Sequence, residues 1–145
     1  MNYEKTLEEI NKVLLELKEE NKTVPIIVEG EKDKQALKKL DINGKIIRYN
    51  IGMSISNFCD NIAKDYKKII LLTDWDRKGG YLCSTIKKNL ESRVKINTEY
   101  RKFFAKKSMT RTIEGLPSWI DSLKKKVEDG KMPIFRSKNG ILNQN

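Results

Sequence analysis

Histidine is absent from this 145-residue chain, and its absence removes several chemistries at once. A His general base, Ser-His-Asp and Cys-His nucleophile systems, and His-ligated zinc or non-haem iron all fall away. Cysteine is scarce: Cys59 and Cys83 are too few for a zinc site and form no Cys-x-x-Cys pair. Both fall on apolar faces of expected helices, which reads as buried free thiols rather than a disulfide. No apolar run approaches the roughly 20 residues of a membrane span. The first 20 residues hold six glutamates and no signal-peptide apolar stretch, so the expected location is cytoplasmic. Neither a Walker A loop nor a dinucleotide-binding glycine pattern is present.

What the chain has in excess is positive charge. Its net charge is +10, unevenly placed: residues 1–20 hold three lysines and six glutamates, a charge of −3, and the remainder carries +13. A basic body suggests a polyanionic partner, because Lys and Arg facing phosphates release counterions and gain salt-dependent affinity. The plainer alternative is a lysine-rich solvated surface.

Apolar spacing divides the chain into alternating helices and strands. Leu7, Ile10, Val13, Leu14 and Leu17 recur at three- and four-residue steps, predicting an amphipathic helix over 4–20 that ends at Asn21-Lys22-Thr23. Strands are expected over 24–29, 45–49, 68–73 and 94–97. Helices are expected over 31–40, from a Ser54 or Ser56 cap to about 66, over 80–91 behind Gly79-Gly80, and over 118–127 behind Pro117. Asn43-Gly44 reads as a turn, and the tail from Gly130 as loosely held. Strand and helix alternating at short spacing imply one α/β domain: an open parallel sheet of about four strands, flanking helices, and a further helix at each end.

Two stretches carry the chemistry. Ile26-Ile27-Val28 runs directly into Glu29-Gly30-Glu31-Lys32-Asp33, and Ile69-Ile70-Leu71-Leu72-Thr73 runs into Asp74-Trp75-Asp76-Arg77-Lys78-Gly79. Each apolar run has the length and β-branched content of a buried parallel strand. Ligands in open α/β sheets bind beyond the carboxyl ends of the strands, so Glu29, Asp74 and Asp76 share one edge if these strands are neighbours. Three hard oxygen ligands on a rigid rim suit magnesium with bound phosphate. Asp74 and Asp76 share a face, and Trp75 points away. An Asp-x-Asp that merely caps the next helix, and a Glu29 that merely ends a strand, are the structural alternatives. Glu31 and Asp33 read as first-turn acids favoured by the helix dipole.

Together these segments, Val28-Glu29-Gly30-Glu31-Lys32-Asp33 and Leu72-Thr73-Asp74-Trp75-Asp76-Arg77-Lys78-Gly79, resemble the Toprim domain. Type IA and II topoisomerases, bacterial-type primases and small nucleases share that domain, among them the ribonuclease that matures 5S ribosomal RNA. Thr112-Ile113-Glu114-Gly115-Leu116-Pro117-Ser118-Trp119 resembles the carboxyl-terminal segment of the small free-standing archaeal Toprim proteins. The resemblance implies a Toprim-type sheet, with Glu29 as catalytic acid–base or first metal ligand, Asp74 and Asp76 as ligands, and one or two magnesium ions per chain. It divides the chain into an N-terminal helix (1–21), the Toprim domain (22–105), and a basic segment, short helix and loose tail (106–145). Topoisomerases usually place further acids just after the Asp-x-Asp pair. Lys78 and Gly80 stand there in this chain. The chain is also too short for a topoisomerase's tyrosine-nucleophile domain or the additional domains of a full primase.

The segment Tyr100–Arg111 holds five basic residues and no acid. Phe104 is expected in the core, with several of Lys102, Lys106, Lys107 and Arg111 expected to face phosphates on the same edge as the acids. Arg77 and Lys78 are placed to hold the scissile phosphate or balance the acids. The leading expectation is a magnesium-dependent enzyme acting on phosphodiester bonds of nucleic acid, RNA before DNA, with no membrane partner. The alternative is a non-catalytic nucleic-acid-binding accessory protein that keeps the metal site. A phosphotransfer protein of haloacid-dehalogenase or receiver type is disfavoured: Lys78 stands where the first wants Thr or Val, and the second needs its acidic pair on the first strand.

Overall fold

A computed structural model describes residues 2–49 and 52–131. Helix α1 (Tyr3–Glu20) leads into β1 (Ile26–Val28), α2 (Glu31–Lys39), β2 (Ile46–Arg48), α3 (Ile55–Asp65) and β3 (Lys68–Leu71). Then come α4 (Arg77–Leu90), β4 (Lys95–Asn97), α5 (Glu99–Lys107) and α6 (Leu116–Lys131). The four strands form one parallel sheet in the order β2-β1-β3-β4. No helix among the described residues is long and apolar enough to cross a membrane.

Strand alternation sorts the core into two layers. Ile26, Val28, Ile46, Ile70 and Leu72 face a layer built with α1, α2, α5 and α6, where Ile10, Leu17, Leu37, Phe104, Ile120 and Leu123 are buried. Ile27, Ile69 and Leu71 face the other way, onto α3 and α4, against Phe58, Cys59, Ile62, Leu82, Cys83 and Ile86. Both cysteines are free and buried. Successive crossovers leave β1 in opposite directions, toward β2 and then back to β3. That makes the β1–β3 boundary the topological switch point, where open sheets present a crevice.

A buried amide fixes the entry to the sheet. Asn21 donates from Nδ2 to the carbonyls of Val24 (2.9 Å) and Lys45 (3.0 Å), and its Oδ1 accepts from the Gly44 amide at 2.9 Å. A Cβ on Gly44 would collide with Asn21, so the Asn43-Gly44 turn needs glycine for close approach. The residues that break α1 therefore also set the spacing of β1 and β2.

Two helices differ from expectation. α5 occupies much of the segment read only as basic, because Tyr100 and Phe104 recur at four residues and bury on the α1/α6 side. α6 begins at Leu116, with Pro117 tolerated in its first turn, and runs through Gly130 to Lys131, where Lys131 Nζ meets Glu4 of α1 at 3.1 Å. The rest of the expected tail lies outside the described residues. Between α5 and α6 the chain crosses as a strap of bends and turns, residues 108–115.

Candidate functional site

The sheet order makes β1 and β3 neighbours, with Ile27 opposite Leu71 in register. Two residues beyond that pair on β1 lies Glu29, and three beyond it on β3 lies Asp74. They meet directly: the Asp74 amide donates to Glu29 Oε2 at 2.9 Å. Asp76 caps α4, its Oδ1 accepting from the Gly79 amide at 2.7 Å, so the helix starts at Arg77, three residues before the Gly79-Gly80 opening expected. The capping alternative for Asp76 is therefore real, and it occupies one oxygen only.

Asp33 belongs with these residues. It is buried at 7% exposure, and its Oδ2 accepts from the Gly30 amide at 3.1 Å, one arm of a capping box on α2. The strap adds a fourth contact, with the Ile113 amide donating to Asp74 Oδ1 at 2.8 Å. Each of Glu29, Asp33, Asp74 and Asp76 thus spends one oxygen on a backbone amide. None of the four second oxygens has a hydrogen bond, and none of the four groups has an ion-pair partner, among the described residues.

Burial raises the carboxyls of Glu29, Asp33 and Asp74. Burial pushes Asp74 up to about 6, helped by the charges of Glu29 and Asp76 and opposed by the Ile113 amide. Asp33 also rises to about 6, through burial first and then the Asp74 charge. Glu29 is raised by burial, with Asp33 and Asp76 adding to it, against the Asp74 amide and Lys78. No three carboxylates among the described residues are drawn into a finished metal-ligand cluster. Each of the four acids is tethered by its own amide.

The acids border a cavity of about 450 Å³. Glu29, Asp33 and Asp74 form one wall, with Glu114 from the strap; Tyr49, Tyr81 and Leu82 form the apolar wall; Lys78 supplies a cation. Gly30, Glu31 and Lys32 bring the first turn of α2 to the same space. Gly79 lets α4 come this close, since a Cβ there would strike the Asp74 carbonyl and lie 2.8 Å from Glu29 Oε2.

The loop carrying Asp74 and Asp76 is tied down from behind. Trp75 donates from its backbone amide to Arg111 O (3.0 Å) and from Nε1 to Thr110 O (2.6 Å). Its indole stacks on Phe104 with centroids 5.9 Å apart, an arrangement worth about 0.5–1.5 kcal/mol beyond area burial. Arg101 donates from Nε to Thr73 O (3.1 Å) and from Nη2 to Asp74 O (2.9 Å).

The predicted phosphate-binding residues divide. Lys78 lines the acidic cavity, and Arg77 sits beside it, exposed, in the first turn of α4. Lys102 pairs with Glu99 at 3.3 Å, Lys107 pairs with Glu9 of α1 at 3.3 Å, and Lys102 and Lys106 share a groove with Val13 and Glu16. Those three lysines lie toward α1, away from the acids, because Phe104 turns the opposite face of α5 into the core. Arg111 is exposed and touches the rim only through its backbone carbonyl. Sequence reasoning missed Asp33 as a member of the rim, and it missed Arg101, Glu114, Tyr49 and Tyr81. Only Asp33 and Glu114 had a signal, each standing within a motif segment beside the recognised acids.

A parallel 2-1-3-4 sheet with Glu29 and Asp-x-Asp at its switch point defines a Toprim domain. The Toprim domain model matches residues 24–107, and the chain belongs to that family. Its similarities run to archaeal UPF0292 proteins. It is 39% identical over 99 residues to UPF0292 protein TV1259 of Thermoplasma volcanium, covering 68% of this chain and 83% of that protein. It is 35% identical over 124 residues to UPF0292 protein MJ1624 of Methanocaldococcus jannaschii, covering 83% and 97%. A solved structure of a protein from Aquifex aeolicus superposes with a TM-score of 0.59 at 30% identity, covering 66% of this chain and 88% of that one.

Proposed function

We propose that the chain is a magnesium-dependent Toprim-type enzyme that cleaves or processes RNA at phosphodiester bonds. One observation carries the reading: Glu29, Asp33 and Asp74 line a cavity with Lys78, Asp76 stands beside it at the start of α4, and each of the four spends one oxygen on a backbone amide and leaves the other without a hydrogen bond among the described residues. Carboxylates taken out of water without a counter-charge cost several kcal/mol, and a bound cation removes that cost. The donor set is all oxygen, which suits a hard divalent ion. Asp74 and Asp76 would hold it, with Glu29 beside them.

Bound magnesium would neutralise charge on the phosphoryl group and lower the pKa of an attacking water. The remaining work falls to side chains of the chain. Glu29, raised by burial, is suited to exchange a proton with the attacking or leaving oxygen. Lys78 offers its ammonium to a phosphate from the same wall, and the first turn of α2 adds backbone amides that favour anions. RNA is put before DNA because the sequence resembles small stand-alone ribonuclease-like Toprim proteins.

The test is a cleavage assay on RNA and DNA oligonucleotides with magnesium or excess chelator, run beside binding. Magnesium-dependent cleavage that Glu29→Gln abolishes while RNA affinity stays within about threefold supports the proposal. RNA binding with no turnover in magnesium makes the chain an accessory protein instead. Full cleavage in chelator overturns the metal role.

A further inference from the structure

The acid-lined cavity has a second wall that catalysis at a phosphate does not require. Tyr81 is 72% exposed, the equal of Met109 as the most exposed large apolar side chain among the described residues. Its hydroxyl makes no hydrogen bond and its ring stacks on no other ring among those residues. By contrast, the partly exposed Tyr3 has Lys126 over its face, 5.1 Å from the ring centroid. Tyr49, on the same cavity wall, is fixed: its hydroxyl donates to Met53 O at 3.1 Å and its ring meets Phe58 edge-on at 5.2 Å.

Placement gives the free ring a meaning. Lys78 and Tyr81 are three residues apart on α4, hence neighbours on one helix face, and both line the cavity with Glu29 and Asp74. The face therefore presents a cation and, one turn along, an unpartnered aromatic plane. In a nucleic-acid strand a phosphate and the adjoining base have that same alternation. A ring this exposed contributes little packing, and an aromatic beside a cation that can hold a phosphate is a common platform for unpaired bases. A cavity of about 450 Å³ falls within the range of ligand pockets, roughly 300–1,000 Å³.

We propose that Tyr81 is a base-stacking platform, so that the site takes single-stranded nucleic acid with an unstacked base next to the phosphate held at Lys78. The inference rests on the functional reading above and adds its substrate form: single strands, loops or ends before continuous duplex. Tyr81 positions the substrate and takes no part in proton transfer.

The experiment uses the full chain carrying Glu29→Gln, in magnesium, so that the substrate survives. Probes are a 12-nucleotide oligouridylate with one internal 2-aminopurine and a blunt duplex of the same length. The parent should bind the single strand more tightly and quench its 2-aminopurine by stacking. Adding Tyr81→Ala should weaken single-strand binding about 5- to 150-fold and abolish quenching, the span expected for one base–aromatic stack. Tyr81→Phe should keep both, and Tyr81→Leu, apolar but without a ring, should lose the quenching. An exposed side chain leaves the melting temperature unmoved in all three. If Tyr81→Ala binds and quenches like the parent, the platform is overturned while the nuclease reading stands. If the parent binds neither probe at low salt, the functional reading fails, and the platform with it.

Discussion

Asp74→Asn should make the magnesium-free protein more stable while removing its response to magnesium. Asn keeps the Oδ1 acceptor for the Ile113 amide, so the change removes charge and little else. An aspartate carried from 3.8 to about 6 costs the folded state up to roughly 3 kcal/mol once ionised, at about 1.4 kcal/mol per pH unit. Asp74 is only partly buried, so solvent screening reduces this to about 1–2 kcal/mol. With an unfolding entropy of about 0.3 kcal/mol per kelvin for 145 residues, the gain is a rise in Tm of about 3–6 °C.

The pH dependence follows from the sign. Below about pH 4 the carboxyl is protonated in both folded and unfolded chains, and the substitution has little effect. Between about pH 4 and 6 the folded chain holds a proton the unfolded chain has lost, so parental stability falls as pH rises. Above that window the penalty is complete, and the variant's advantage is largest. Thermal unfolding followed by circular dichroism from pH 4 to 8 measures this directly. Magnesium at about ten times its dissociation constant should then stabilise the parent by ~1.4 kcal/mol and leave Asp74→Asn unmoved. A variant that is less stable than the parent at pH 7.5, or whose gain persists undiminished at pH 4, would refute the argument.

Three further outcomes follow from the same geometry. Glu29→Gln should reduce magnesium-dependent cleavage to background with RNA affinity nearly intact, read by single-turnover cleavage and fluorescence anisotropy. Lys78→Ala should lower the log–log salt slope of single-strand binding by about 0.7, whereas Lys107→Ala, whose ammonium is paired with Glu9, should leave it unchanged. Gly79→Ala should cost more than about 2 kcal/mol in denaturant unfolding, because its Cβ meets the Asp74 carbonyl and displaces α4 from the rim.

The sheet and its helices were legible because their signals are local and redundant. Ile26–Val28 and Ile69–Leu72 are continuous apolar runs ending in carboxylates, and Leu7, Ile10, Leu14 and Leu17 repeat at helical spacing. α5 was not legible as a helix, because Phe103 and Phe104 are adjacent and four cations blur the period, although Phe104 was expected in the core and is fully buried there, stacked on Trp75. Asp33 was readable as a first-turn acid, and it is one, but its burial depends on the β1–β3 pairing that brings Glu29 and Asp74 together across 45 residues of sequence. The direction of Lys102, Lys106 and Lys107 likewise depends on where α1 lies. A run of like charge records composition and leaves orientation open.

The strap has a consequence for descent. Residues 108–115 lie beyond the stretch that the family model matches, yet Asp74 is held by the Ile113 amide and Trp75 by the carbonyls of Thr110 and Arg111. Ile113 and Leu116 are fully buried in the same core as β1. The Toprim model and the folded core therefore divide this chain at different places. A gene fusion that carried off 24–107 alone would inherit Glu29, Asp74 and Asp76, with Arg101 and Phe104 behind their loop, but leave behind the strap's hold on Asp74 and Trp75. A lineage that rewrote 108–123 would have to rebuild that anchorage even with all three acids untouched. The rim is held by a segment that the Toprim model does not include.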